Sequence, residues 1–368
     1  MSEVKKTYVG WKESGLTYNQ NEVTEQTDLL AEDGTLLVKG AWARHNLFTY
    51  DRYRSKPTLR RKEWDFYQMS DGNYIIQISI ANISIGGYAS ATLIDLHAPN
   101  EKGLVATSMA LWLGGKNKVI LPACGDRPNV TEYKKGKFEL RFETHETYRT
   151  LYFKGPSKGK TLECKFRMDI PENLENITTV LPFDGYPTRY FMTTKQNCMP
   201  CEGTFAVGEK IYSFDKQNTF CCLDWGRVNT PYKLCWYWGN GAHRVVDENG
   251  KEHIFGFEIT WAIGNETGAT ETCLFWDGKA HKIGAVDVEV FPKPDKYMQP
   301  WHFVSEDGRF DMTMTPYYDN HNDTNALILR MHSHQVYGKW NGTVVLDDGR
   351  KIEIKDMVAF CEYVENRW

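Results

Sequence analysis

The chain lacks a long apolar run. Across 368 residues no stretch is apolar enough, for long enough, to cross a bilayer as a helix. Its opening Met-Ser-Glu-Val-Lys-Lys leads into polar residues, not into the apolar core of a secretion signal. The expectation is a soluble, cytoplasmic protein without an integral membrane segment. Basic runs are also missing. Formal net charge is -4 with acids and bases interspersed, so no nucleic-acid track is expected. No glycine-rich loop opens a helix to cradle phosphate, and long amphipathic helical patterns are absent. Both absences argue against a βαβ nucleotide fold. No serine or cysteine sits in a nucleophile-elbow motif.

Regularly spaced cysteines are missing as well. There are nine, an odd number, which speaks against a disulfide scaffold. Cys198 and Cys201 form a lone Cys-x-x-Cys with no second pair to complete a zinc site. His332 and His334 are spaced to share a strand face, one ligand short of a catalytic metal centre. No metal and no cofactor are therefore expected.

What is present is a period of two. Ile76, Ile78 and Ile80 alternate with Gln77, Ser79 and Ala81. Phe138, Leu140 and Phe142 do the same, as do Phe255, Phe257, Ile259, Trp261 and Ile263. Val286, Val288 and Val290 alternate with Asp287 and Glu289, and Ile352 and Ile354 with charged neighbours. Each reads as a half-buried antiparallel strand. Asp-Gly or Asn-Gly pairs recur at 33–34, 71–72, 184–185, 240–241, 249–250, 277–278, 307–308, 341–342 and 348–349, the chemistry of tight hairpin turns. Aromatic residues make up 14%, which favours strands and large apolar pockets over a helical bundle. The fold class is all-β, as one or two antiparallel barrels or sandwiches. A softer segment at 184–203, with Gly185, Pro187, Pro200 and Gly203, is the candidate boundary. It divides the chain into expected domains 1–195 and 196–368.

Chemistry concentrates in residues 222–238. Asp224 adjoins Trp225 and is followed by Arg227, Trp236 and Trp238. On a strand, Leu234, Trp236 and Trp238 share one face. Low polarity keeps a carboxyl protonated and ring faces stabilise a cation, which suits acid catalysis. The competing reading is an Asp224–Arg227 ion pair in a turn, with the tryptophans as core. Arg61, Glu63 and Asp65 share a face that reads as charged and solvated, while Lys62 faces with Trp64. Glu258 reads as a solvent-facing strand carboxylate. Glu271, before a Leu-Phe-Trp run, is placed to enter a cavity. His302 is a candidate acid or base.

Further motifs carry a resemblance. They are Gly40-Ala-Trp42-Ala-Arg44, Tyr50-Asp51-Arg52-Tyr53, Leu59 through Tyr67, Leu223 through Arg227 with Trp236-Tyr-Trp238, and Glu271 through Lys282. The set ends with Gln335 through Gly342 and Glu362-Tyr-Val-Glu-Asn-Arg367-Trp368. In this order they resemble the bacterial domain-of-unknown-function family 2804 over nearly the whole chain. That family is similar in turn to lipocalin-like hydratases and cyclases, including hydroxyneurosporene synthase, tocopherol cyclase and fungal pericyclases. Val228 and Thr272 depart from the nearer family, where glycine and asparagine are expected.

The resemblance implies two packed lipocalin-like β domains with an apolar cavity between or within them, and an acid at the Asp224 position that protonates an alkene. The resulting expectation is a cofactor-independent hydratase, isomerase or cyclase. It would act on an apolar or isoprenoid-like small molecule in a β-barrel cavity. Asp224, Arg227 and Glu271 would be catalytic. Trp64, Trp225, Trp236, Trp238 and His302 would bind substrate. A lipid or pigment carrier and a carbohydrate-active protein are the rival readings.

Overall fold

The computed structural model describes residues 11–99, 102–114, 119–288, 296–326 and 329–367. Glu289, Val290, the first six residues and Trp368, which figure in the sequence patterns, lie outside the described residues.

Alternation becomes strands as expected. Ile76, Ile78 and Ile80 point from Tyr74–Asn82 into a first core with Phe142, Phe153 and Phe166. Phe255, Phe257, Ile259 and Trp261 point from Glu252–Trp261 into a second core with Phe303 and Trp340. The first sheet has 13 strands. Its main path runs Leu104–Leu113, Gly86–Asp95, Tyr74–Asn82, Arg61–Ser70, Phe220–Asn229, Tyr186–Val207, Lys160–Asp169, Tyr148–Ser157, Phe138–Thr144, Asn129–Lys135. The path curls on itself. Ser108 donates to the Pro156 carbonyl and Ser157 to the Thr107 carbonyl, both at 2.8 Å, joining Leu104–Leu113 to Tyr148–Ser157.

The second sheet has nine strands, in the order Lys279–Lys282, Cys273–Trp276, Glu252–Trp261, Lys233–Val246, Lys351–Arg367, Leu329–Val345, Phe310–Ala326, Trp301–Ser305, Val286–Val288. Val286–Val288 returns beside Glu252–Trp261, so this sheet curls as well. Among the described residues the only helical turns are Trp11–Ser14 and Thr58–Arg60. The protein is all-β, two curled antiparallel sheets packed together, as the lipocalin-like expectation requires.

Two sequence signals take different forms. The sheets change over between Asn229 and Lys233, not at 195/196, which falls inside the 22-residue strand Tyr186–Val207. The prolines and glycines of that segment accompany a bend. Register shifts between Gln196 and Met199, Cys198 takes φ +62°, and Asn197 donates across to the Phe257 and Gly241 carbonyls at 3.1 and 3.2 Å. The bend thus pins the first sheet to the second. Asn240-Gly241 is likewise no turn but the middle of Lys233–Val246. A Cβ at Gly241 would lie 2.5 Å from the Ala359 side chain, so close strand approach, not turn geometry, explains the glycine.

The central strands are buried on both faces. One face fills the first curl and the other meets the second sheet. Gln77 reaches Gln335 at 3.1 Å and Tyr337 reaches Gln68 at 3.4 Å across that junction. This overturns the solvent-facing assignments. Glu258 is 0% exposed and accepts from Trp238 at 2.8 Å and Asn197 at 3.0 Å. Glu63 is buried inside the first curl, taking hydrogen bonds from Tyr50 and Arg52.

Candidate active site

A cavity of about 220 Å³ lies where the sheets meet, while each curl encloses an apolar core. Of the two placements expected, between or within the domains, this cavity takes the first. Cross-strand register builds its floor. Lys195, Asp224 and Phe66 stand side by side on neighbouring strands, and the next row along is Thr193, Gly226 and Trp64. Side chains in such rows share a face. The second sheet contributes Thr260, Trp238, Glu362 and Gln335 as one row, with Trp236 two residues along. Leu234, Trp236 and Trp238 all line the cavity, as their spacing implied.

Gly226 decides how Trp64 lies. A Cβ there would sit 2.1 Å from the Trp64 ring, so only glycine lets the indole lie flat over the strand. From that position Trp64 Nε1 donates to Asp224 Oδ2 at 3.0 Å. Lys195 Nζ meets the other Asp224 oxygen at 2.7 Å and rests 4.1 Å from the Trp238 ring centroid. Asp224 is thus an acceptor between an ammonium and an indole N–H.

Around this pair stand further carboxyls. Glu271 comes from the loop between Glu252–Trp261 and Cys273–Trp276 and is 1% exposed. Among the described residues neither of its oxygens meets a donor in hydrogen-bond geometry; Thr260 lies close without that alignment. Burial raises its pKa above the ordinary 4.5, with Asp224 adding to the effect and Lys195 opposing it. Glu362 accepts from Trp236 at 2.8 Å and Gln335 at 3.0 Å, yet burial still raises it. Burial pushes Glu258, beneath Trp238, to about 8 against the pull of Lys195. Lys195 itself is held above the usual lysine range. Burial lowers it, but Asp224, Glu271 and Glu258 outweigh that.

Elsewhere on the wall, Lys62 bonds Thr230 at 2.7 Å and is brought down to about 7 by burial and by Arg60 and Arg189. Lys62 pairs with Val228, four residues along from Asp224. The two polar poles are therefore about 13 Å apart at strand rise. Trp64, Phe66, Phe191, Val228, Leu234, Trp236, Trp238, Ile263 and Met331 make the rest of the wall largely apolar.

Three expected site residues are elsewhere. Period two puts Trp225 and Arg227 on the opposite face of Phe220–Asn229 from Asp224. Trp225 belongs to the first core, with the Arg227 guanidinium 4.2 Å from its ring. Arg227 is 0% exposed and bonds Asp65 at 2.8 Å and the Trp64, Gly226 and Pro122 carbonyls. An Asp224–Arg227 pair does not form for the same reason. His302 lies on the far strand Trp301–Ser305, half-exposed and 2.7 Å from Asp311. Trp64, Trp236, Trp238, Asp224 and Glu271 do converge on the cavity.

A family model described as "Domain of unknown function (DUF2804)" matches residues 20–368. The chain belongs to the DUF2804 family. This DUF2804 protein matches no curated protein. Among solved structures it is similar to CghA, with TM-score 0.50, 11% identity, and 93% of this chain and 97% of that chain covered. It is also similar to CghA with Sch210972, at TM-score 0.48 and 12% identity over 93% and 97% of the two chains. Kievitone hydratase from Nectria haematococca gives 0.44 and 10% over 96% and 98%. At these identities the CghA likeness speaks for the fold.

Sequence reading missed Lys195, Glu362 and the burial of Glu258. Lys195 lies in the polar run Thr193-Thr194-Lys195-Gln196-Asn197, where no alternation survives because both strand faces are covered. That loss of alternation is the available signal. Glu362 was visible only as part of the closing motif.

Proposed function

We propose that this DUF2804 protein is a cofactor-independent acid–base enzyme of the hydratase, isomerase or cyclase type, acting on a small apolar molecule in the inter-sheet cavity. One observation carries the reading. Four buried carboxyls, of Asp224, Glu258, Glu271 and Glu362, crowd around the ammonium of Lys195 beside an indole-lined space, with Lys282 the next cation toward Glu271. One lysine neutralises one of them. Burying charges in excess of their partners is costly, so the remaining acids are pushed toward their protonated forms.

Glu271 is the proton donor in this reading. It is buried, raised and without a fixed hydrogen bond, whereas Asp224 is engaged by Lys195 and Trp64. The Glu271 O–H transfers its proton to an alkene carbon, forming a C–H bond and a carbocation. Trp236 offers a ring face to that charge, while Trp238 already faces the Lys195 ammonium. Water or an internal nucleophile then attacks the cation, or a neighbouring C–H proton leaves, and one proton returns to the Glu271 carboxylate. Asp224, held by Lys195, orients the attacking group. The mostly apolar wall weighs against the carbohydrate reading.

The test has two stages. Native mass spectrometry and solvent extraction of the purified protein identify the bound molecule. Incubation of that molecule with the protein in deuterated water then reads proton transfer to carbon. Expected are deuterium incorporation and its loss in Glu271→Gln with binding retained. A stoichiometric ligand returned unchanged, without deuterium, would overturn the enzyme reading in favour of a carrier.

A further inference from the structure

We propose that His321, His332 and His334 form a binding site for a divalent first-row transition metal ion of the zinc class, separate from the cavity. The sequence offered two histidines at 332 and 334 and fell one ligand short. The hairpin of Phe310–Ala326 and Leu329–Val345 supplies the third. His321 stands directly opposite His334 in the antiparallel register, and His332 is two residues along, opposite Asp323. Period two puts these side chains on the face away from Gln335 and Met331, which line the cavity.

The ligand nitrogens of the three rings all lie within 4.8 Å of one another. A tetrahedral ion with bonds near 2.0–2.1 Å needs nitrogens about 3.3 Å apart. His332 already stands edge-on to His334 at 72°, whereas His321 stacks on His334 at 4.2 Å and 12°, so the exposed His321 ring must swing out of that stack to aim its nitrogen at a shared ion. His321 is exposed and His332 half-buried, so an ion can enter. His334 is fixed from behind: Asp319 Oδ2 is 2.7 Å from its Nδ1, and Tyr297 stacks on it at 3.6 Å. A carboxylate on one imidazole nitrogen presents the other to a metal.

Two further observations point to a cation. His332 Nδ1 is buried and has no hydrogen-bond partner among the described residues. Carboxylates frame the rings, with Asp323 4.0 Å from His332 and Glu365 opposite His332 on the next strand. An all-imidazole set favours zinc, cobalt, nickel or copper over magnesium or calcium. Three protein ligands leave a fourth position open to water.

The experiment uses the untagged full chain, stripped with chelator, and titrates zinc by calorimetry and cobalt by visible absorption. Expected are one equivalent bound and a cobalt d–d spectrum without thiolate charge-transfer absorption. His321→Ala, at an exposed position, should leave the circular dichroism unchanged and weaken binding by roughly 100-fold or more; Asp319→Asn should weaken it by roughly 10–100-fold. The proposal is overturned if no metal binds, if His321→Ala binds as tightly as the parent, or if a thiolate band appears, which would assign the ion to cysteine.

Discussion

Two buried ionic clusters lie back to back on the same strands, and they are built on opposite rules. Inside the first curl the buried acids Asp65 and Glu63 each have their own cation. Asp65 meets Arg227 at 2.8 Å, and Glu63 meets Arg52 at 2.9 Å with Arg61 at 4.0 Å. On the other face, at the sheet junction, Lys195 is shared among Asp224, Glu258, Glu271 and Glu362, and the further cation Lys282 acts on Glu271 alone of the four. The matched cluster uses its hydrogen bonds to hold loops and strands in place. In the mismatched one, burial holds raised carboxyls next to empty space. Charge matching therefore separates framework from chemistry here, although both clusters are equally hidden from water.

Breaking the matched cluster should cost the most. Arg227→Met strips Asp65 of its partner and frees the Pro122, Trp64 and Gly226 carbonyls. A loss of about 3–5 kcal/mol is expected in urea unfolding. A loss below about 1 kcal/mol would erase the distinction between the clusters. Lys195→Met should cost less, on the order of 1–3 kcal/mol, because Asp224 faces a cavity and keeps its hydrogen bond from Trp64. Equal losses in the two variants would count against the comparison.

Gly226→Ala tests the geometry of the mismatched side. The new methyl would meet the Trp64 ring, so the indole must leave Asp224. About 1–3 kcal/mol of stability should go. Retention of a small molecule that co-purifies with the protein should fall with it; unchanged retention would show that Trp64 does not shape the site.

Glu271 sharpens the comparison through pH. Its folded carboxyl titrates above the ordinary 4.5, so the folded chain keeps a proton that the unfolded chain has released. Stability from this group is complete below 4.5 and declines as pH rises toward the folded value. Glu271→Gln should lack that decline, so stability curves of the two proteins should converge on acidification. Parallel curves from pH 4 to pH 8 would contradict the raised carboxyl. The smallest effect belongs to His302→Ala, which should shift stability by no more than about 0.5 kcal/mol and leave ligand retention untouched.

The fold was legible because alternation is a local property. Ile76 through Ile80 and Phe255 through Trp261 announce strands without help from distant residues. Half the site was legible for the same reason: Leu234, Trp236 and Trp238 had to share a face once 233–246 was a strand. What was not legible depends on which face of a strand meets the other sheet. Asp224 and Trp225 are neighbours in sequence and back to back in space. Arg227, three residues on, follows Trp225 into the core. Lys195 became a partner only through its register with Asp224, across strands that are not adjacent in sequence. Glu258 looked solvated because nothing local foretold the second sheet's neighbour.

The most direct measurement is the protonation state of Glu271 by infrared difference spectroscopy at pH 7, wild type against Glu271→Gln. The account predicts a protonated-carboxyl C=O band in the wild type that the variant lacks. A spectrum in which only a carboxylate band is lost would contradict it, and would leave the cavity without its proton donor.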